Sequence, residues 1–167
     1  MSSNKNNNIL IISSEFPPGP GGIGNHAYNL ALQLTKHRFK VDIITNMRDG
    51  ISYKEFDKKI NINIKRCISM SKIKFIYSFL RNFFSFYSKE EYELILVSGL
   101  NQIIVIGLLQ KIINMKTVVI LHGHETLMGS WLKKKCFKIA FNSINKKIAV
   151  SNFSKNTTKK TYNNCEI

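Results

Sequence analysis

A doubly wound, mostly parallel α/β sheet is the fold class that this 167-residue sequence predicts. Short apolar runs alternate along the chain with longer amphipathic segments, which is the rhythm of repeated βαβ units. The first unit is the clearest. An apolar run, Ile9-Leu10-Ile11-Ile12, is followed by a loop rich in Pro and Gly from Glu15 to Gly24, an amphipathic segment from about Asn25 to His37, and a second apolar run from Val41 to Thr45. Parallel strands need a crossover of about this length. A chain of 167 residues suits one domain that buries about 70% of its unfolded surface.

The remaining elements follow in order. In the first amphipathic segment Ile23, Ala27, Leu30 and Leu34 form one helical stripe able to lie on a sheet. Asn46 to Lys59 is polar and reads as loop, with Asp49-Gly50 as a turn. Ile60, Ile62 and Ile64 alternate with polar residues, predicting a half-exposed strand over Ile60 to Cys67. Between Lys72 and Lys89 the stripe Ile76, Phe79, Leu80, Phe83, Phe84 and Tyr87 predicts a helix that covers the sheet. Its aromatic density and flanking cations also fit an interfacial helix whose rings enter lipid. Glu93 to Ser98 is a buried-strand run, Asn101 to Ile113 a helix, and Lys116 to Leu121 another buried strand ending at His122-Gly123-His124-Glu125. Leu127 to Phe141 reads as a helix with Leu132, Cys136, Ile139 and Ala140 inward, Gly129 weakening its first turn. Lys147 to Val150 is the last strand, and Ser151 can cap a helix from Asn152 to about Thr161. Residues 1–8 read as a polar tail and residues 9–162 as the domain.

Composition narrows the function. The 44% apolar and 11% aromatic content are those of a globular domain rather than a disordered chain. Cys67, Cys136 and Cys165 are too few and too scattered for a disulfide framework or a zinc site, and fit the reduced thiols of a cytoplasmic protein. No secretory signal opens the sequence, and the most apolar window, Leu94 to Leu109, is broken by Ser98, Asn101 and Gln102, so no transmembrane helix is expected. The net charge of +15 is concentrated toward the end, where Thr126 to Cys165 holds nine lysines and no acid. Such a surface attracts anionic lipid or a phosphorylated substrate. No nucleic-acid motif accompanies it, so nucleic acid is not a predicted partner. A lysine-rich solvated surface explains part of the charge equally well.

Ligands of doubly wound sheets sit beyond the carboxyl ends of the strands. The loops there are Ser14–Gly24, Ser98–Asn101, His122–Glu125 and the turn at Ser151, and they hold most of the reactive side chains. Gly21, Gly22 and Gly24 stand directly before a helix, where free N–H groups and about +0.5 of an elementary charge face outward. Without Cβ atoms, phosphate or sugar oxygens can approach those groups. Competing readings are a plain tight turn, a dinucleotide fingerprint, and a nucleotide-triphosphatase loop. The second is weakened by Ser13 to Pro18 between strand and glycines, and by Thr45-Asn46 where an acid should close the next strand. The third lacks a Gly-Lys-Ser/Thr. His26 lies beside the glycines, and His37 reads as a cation at the helix end. At His122 an imidazole can hydrogen-bond a sugar hydroxyl or stabilise developing charge, Gly123 lets backbone approach, and Glu125 can accept from hydroxyls or orient the imidazole. His122 and His124 are too few for a metal site, so none is predicted.

Ser14-Glu15-Phe16-Pro17-Pro18 with Gly21-Gly22-Ile23-Gly24, then His122-Gly123-His124-Glu125, then Ala149-Val150-Ser151-Asn152-Phe153-Ser154 resembles the N-terminal domain of family 4 glycosyltransferases. The likeness extends to phosphatidylinositol mannosyltransferases and polysaccharide transferases of that family, and it covers nearly the whole chain. It implies a Rossmann-like half of a GT-B fold, a retaining mechanism, and a nucleotide-sugar donor as substrate with no metal or other cofactor. The acceptor is implied to be a glycan or a lipid-linked molecule, at the inner face of the plasma membrane. By the same likeness Gly21, Gly22 and Gly24 lie near the donor diphosphate and the acceptor, His122 is the catalytic contact to the donor sugar, and Gly123, Glu125 and Ser151 complete that wall. A lysine that some members carry before the Gly-Gly pair is Pro20 here. Relatives continue into a second domain that binds the donor, so residues 163–167 read as the start of a further strand, with the donor domain to be supplied elsewhere, for instance by a companion chain. Catalysis is then expected only with that domain. A non-catalytic sugar- or phosphate-binding module, or a gene remnant, is the alternative.

Overall fold

The computed structural model describes residues 7–48, 52–123, 125 and 130–161. Asp49-Gly50, His124, Leu127, Gly129 and the sequences at the two ends lie outside them. Strands and helices alternate as β1 (Asn8–Ser13), α1 (Gly22–Lys36), β2 (Lys40–Asn46), α2 (Lys54–Lys59), β3 (Asn63–Cys67), α3 (Lys72–Tyr87), β4 (Leu94–Ser98), α4 (Leu100–Leu109), β5 (Thr117–Leu121), α5 (Trp131–Ser143), β6 (Lys146–Ala149) and α6 (Asn152–Thr161). The strand order is β3-β2-β1-β4-β5-β6, with parallel registers for β1–β2, β2–β3 and β5–β6. This is the predicted Rossmann-like α/β class. The chain divides into two compact units at Ile95/Leu96.

In the first unit Ile9 to Ser13 and Val41 to Thr45 are buried at every position, as strands covered on both faces must be. One charge lies among them. Asp42 is satisfied by the Tyr92 hydroxyl, which donates to it at 2.6 Å. Burial, reinforced by that carboxylate, pushes the ionisation of Tyr92 well up, so it stays a donor. Helix α3 seals this unit with Phe75, Phe79, Phe83 and Phe86, each worth about 1.5–3 kcal/mol when buried.

The predicted face of α3 is rotated. Phe79 and Phe83 are inside, but Ile76 and Phe84 face outward, and Phe75, Phe86, Ser78 and Asn82 take the inner positions. The helix is apolar nearly all round, so periodicity alone cannot choose its buried side. The choice is made by two polar side chains that find partners at the end of β3. Ser78 Oγ accepts the Ile68 N–H at 3.0 Å, and Asn82 Nδ2 donates to the Arg66 carbonyl at 3.2 Å. Strand β3 begins at Asn63, three residues later than the isoleucine alternation predicted. Helix α2 was unpredicted, because its sequence offers a single apolar residue, Phe56, and no stripe. Acids in its first turn and lysines in its last suit its dipole.

In the second unit α4 and α5 meet backbone to backbone. A Cβ added at Gly107 would overlap the Ala140 carbonyl. Helix α5 presents Phe137, Ala140 and Phe141 to the interior, the two rings stacked 5.2 Å apart. Ala140 is inside as expected. Leu132, Cys136 and Ile139 are not, being exposed on the other side. Phe137 and Phe141 stack inside with Ala140, while the regular Leu, Cys and Ile stripe stays outside. Replacing Gly by Ala within an open helix stabilises it by about 1 kcal/mol. At Gly107 the sign should reverse: Gly107→Ala is expected to cost about 1–3 kcal/mol by overpacking, read as a lower urea midpoint at unchanged slope.

Candidate functional site at the strand ends

In the first unit, the loop after β1 is built for close backbone approach. Gly21 has φ +146°, and a side chain there would overlap the Glu15 carboxylate. Gly24 is buried, where a Cβ would stand 3.1 Å from the Phe16 nitrogen, so α1 abuts the loop backbone. Gly22 differs from both, for nothing lies within 4 Å of its missing Cβ. Helix α1 therefore begins at Gly22, three residues before the apolar periodicity placed it, and no side chain caps it. Its first turn also carries no acid. The end of the helix that presents N–H groups thus receives no side-chain acceptor from its own cap or first turn. His26 is half-buried one turn further along α1.

Three contacts hold the loop. The Phe16 ring meets Tyr28 and Phe56 edge-on, with centroids 5.8 and 6.3 Å away. Arg66, its side chain only 5% exposed, forks onto Asp57 at 2.6 and 2.9 Å and donates to the Pro17 carbonyl at 2.7 Å. Arg48 donates to the Pro20 carbonyl and to Glu15, both at 2.7 Å. None of these straps follows from hydrophobic pattern. One signal was available: only four of the 25 cationic side chains are arginine, the residue whose planar fork suits fixed polar geometry. Two of those four hold this loop.

In the second unit the turn after β5 brings His122, Gly123 and Glu125 together and sets them against the start of α6. Glu125 is 1% exposed. Its carboxylate accepts the Gly123 N–H at 2.8 Å and the His122 N–H at 3.2 Å. The carboxylate thus fixes the backbone that carries the imidazole. His122 is half-buried, and Gly123 takes φ +96°. A Cβ at Gly123 would lie 3.2 Å from Ser154 Oγ. Ser151 caps α6 as expected, its Oγ accepting the Ser154 N–H at 3.1 Å and lying 3.0 Å from Ser154 Oγ. Gly21, Gly22, Gly24 and His26 thus form one group, and His122, Gly123, Glu125 and Ser151 another. Each group follows the carboxyl end of a parallel strand.

Glu125→Gln should cost about 1–3 kcal/mol, because the one oxygen that accepts both N–H groups loses its charge in the amide, and an NH2 replaces the second oxygen, which also accepts the His122 N–H. Thermal melting tests this, with the exposed Lys134→Gln expected to stay within about 0.5 kcal/mol.

A search of curated proteins found no match. Solved structures share the fold, among them the following two. Sucrose-phosphate synthase from Thermosynechococcus elongatus superposes with a TM-score of 0.69 at 15% identity, covering 93% of this chain and 45% of its own. Anabaena HepE, solved in complex with UDP, gives 0.59 at 16% identity, covering 92% of this chain and 40% of its own. The chain therefore spans less than half the length of either structure, and at such identities the likeness is one of fold. The family model described as Glycosyltransferase Family 4 matches residues 20–166. The chain belongs to glycosyltransferase family 4 and corresponds to the N-terminal half of a GT-B fold.

Proposed function

We propose that this chain is the acceptor-side half of a retaining glycosyltransferase that moves a sugar from a nucleotide-sugar donor to a glycan or lipid-linked acceptor. The observation that carries the reading is the family match across residues 20–166, joined to a glycine loop whose middle residue, Gly22, faces empty space before an uncapped helix. The UDP in the HepE structure supports a nucleotide-linked donor. The glycine loop takes the donor diphosphate, and His122 contacts the donor sugar where positive charge develops. Gly123 and Glu125 hold His122 in place. Ser151 and His26 line the walls. A preference for phosphatidylinositol-type acceptors, and work at the inner face of a membrane, rest on the sequence likeness and the basic surface. Among the described residues no helix is long and apolar enough to cross a membrane.

The leaving group is a diphosphate, and its growing charge must be met by fixed donors. Where some relatives carry a lysine before the glycine pair, this chain has Pro20, and Arg48 bonds the carbonyl of that residue. Arg48 is thus the nearest cation to that lost position. Its partner is Glu15, and a diphosphate would compete with that carboxylate. The two members of this ion pair should then respond with opposite signs. Arg48→Ala is expected to weaken inorganic pyrophosphate binding by about tenfold, the worth of one charge-assisted hydrogen bond. Glu15→Gln is expected to tighten it, by calorimetric titration. If both substitutions weaken binding, the ion pair only braces the loop.

Transfer requires donors on both sides of the reacting carbon, and one wall gives little acceleration. This chain alone is expected to show no transfer from common nucleotide-sugars, and addition of the donor-binding half to restore it. In the restored enzyme His122→Ala should lower kcat by about 100-fold or more. Transfer by the chain alone would refute the division of labour. Donor binding without turnover in the restored complex would favour a non-catalytic binding module.

A further inference from the structure

Helix α3 carries two apolar stripes, and the fold uses one. The inner stripe runs through Phe75, Phe79, Phe83 and Phe86. On the opposite side Ile73, Ile76, Tyr77, Leu80 and Phe84 recur at i, i+3, i+4, i+7 and i+11, the spacing of a second continuous face. Ile73 is 82% exposed, Tyr77 69%, and Ile76 and Phe84 45% each. Met70, just before the helix, is 75% exposed and extends the stripe. From Ile73 to Phe84 the stripe runs about 16 Å along the helix axis. Isolated apolar residues on a surface need no explanation, but a continuous patch rimmed by charge marks an interaction face.

The rim identifies the partner. Lys72, Lys74 and Arg81 are the charged residues of α3, and the helix has no acid. On a helical projection Lys74 and Arg81 border the outer stripe on one side, and Lys72 borders it on the other near the start. Long cationic side chains there can lie along the apolar surface and lift their charges to a headgroup layer. An aliphatic centre, aromatic members (Tyr77 and Phe84), and cations on a helix that holds no acid make up the chemistry of a helix lying flat in an anionic lipid interface. We infer that the outward face of α3 is the bilayer-contact surface of this protein and that its partner is an anionic phospholipid membrane. The inference deepens the proposal of a lipid-linked acceptor and can be tested without turnover. It also corrects which residues meet lipid. Phe83, which belongs to the stripe predicted from the sequence, is fully buried, so Phe83→Asp would unfold the unit rather than release it from a membrane.

The test is co-sedimentation of the chain with vesicles of phosphatidylcholine alone, or of phosphatidylcholine with phosphatidylglycerol. Wild type should pellet with the anionic vesicles and stay in solution with the neutral ones. Two variants probe the face separately: Ile73→Ser with Phe84→Ser, and Lys72→Gln with Lys74→Gln and Arg81→Gln. Each should lower the partition coefficient by about tenfold or more, with circular dichroism unchanged and a cooperative melt retained; loss of the edge contact of Phe84 with Phe83 lowers the melting temperature of the first variant slightly. Wild type that fails to pellet with anionic vesicles overturns the inference. So does pelleting that survives both variants, which would assign binding to the lysines of residues 126–165. A wild-type dimer that Ile73→Ser with Phe84→Ser converts to monomer, with vesicle binding intact, would make the face a self-association surface instead. Each of these results leaves the sugar-transfer proposal standing, since that proposal fails only on donor binding and transfer.

Discussion

Strands buried on both faces leave polar chemistry only their ends, and the organisation of this chain follows from that constraint. β1, β2, β4 and β5 are sealed along almost their whole length. A functional side chain placed within them would need a private partner, as Asp42 needs Tyr92. The carboxyl ends escape this requirement. There the backbone turns out of the sheet, and the first N–H groups of the next helix have no partner along the chain. Glycine enters at these turns for different reasons. Gly21 and Gly123 supply a positive φ, and Gly24 admits close packing of helix on loop.

Anchoring of the two described loops uses one device in two forms. In each, a charged side chain bonds the backbone of the loop. Arg66 and Arg48 donate to the carbonyls of Pro17 and Pro20, while Glu125 accepts from the amides of His122 and Gly123. Charge-assisted bonds of this kind are about twice as strong as neutral ones. A loop held in this way can present polar groups without being ordered by the ligand itself, which lowers the entropic cost of binding. Glu125, expected from sequence to accept from hydroxyls or to orient the imidazole, bonds in the described geometry to the backbone that carries that imidazole.

Much of this architecture was legible in the sequence, and the rest was hidden for identifiable reasons. Strands buried on both faces announce themselves as apolar runs, so β1, β2, β4 and β5 fell within a residue or two of expectation. The capping serine of α6 was visible because its role is local. Helix faces were harder to read. α3 is apolar on two sides, and its orientation is decided by the bonds of Ser78 and Asn82 to a neighbouring strand. α5 shows a regular Leu132, Cys136 and Ile139 stripe that the fold leaves outside, while Phe137, Ala140 and Phe141 face the interior. The arginine straps join residues 28 to 49 positions apart, and nothing in local pattern reports a partner at that distance.

Gly22 separates two kinds of demand that usually fall on the same residue. Its neighbours Gly21 and Gly24 answer to the interior of the protein, so any replacement there is felt by folding. Among the described residues beyond its own turn, a methyl group at position 22 would meet no atom within 4 Å, and it would extend into the space proposed for the diphosphate. Measurements of protein abundance and measurements of turnover should therefore part company at this codon, and the size of the gap would gauge how near the visiting molecule comes to the peptide plane.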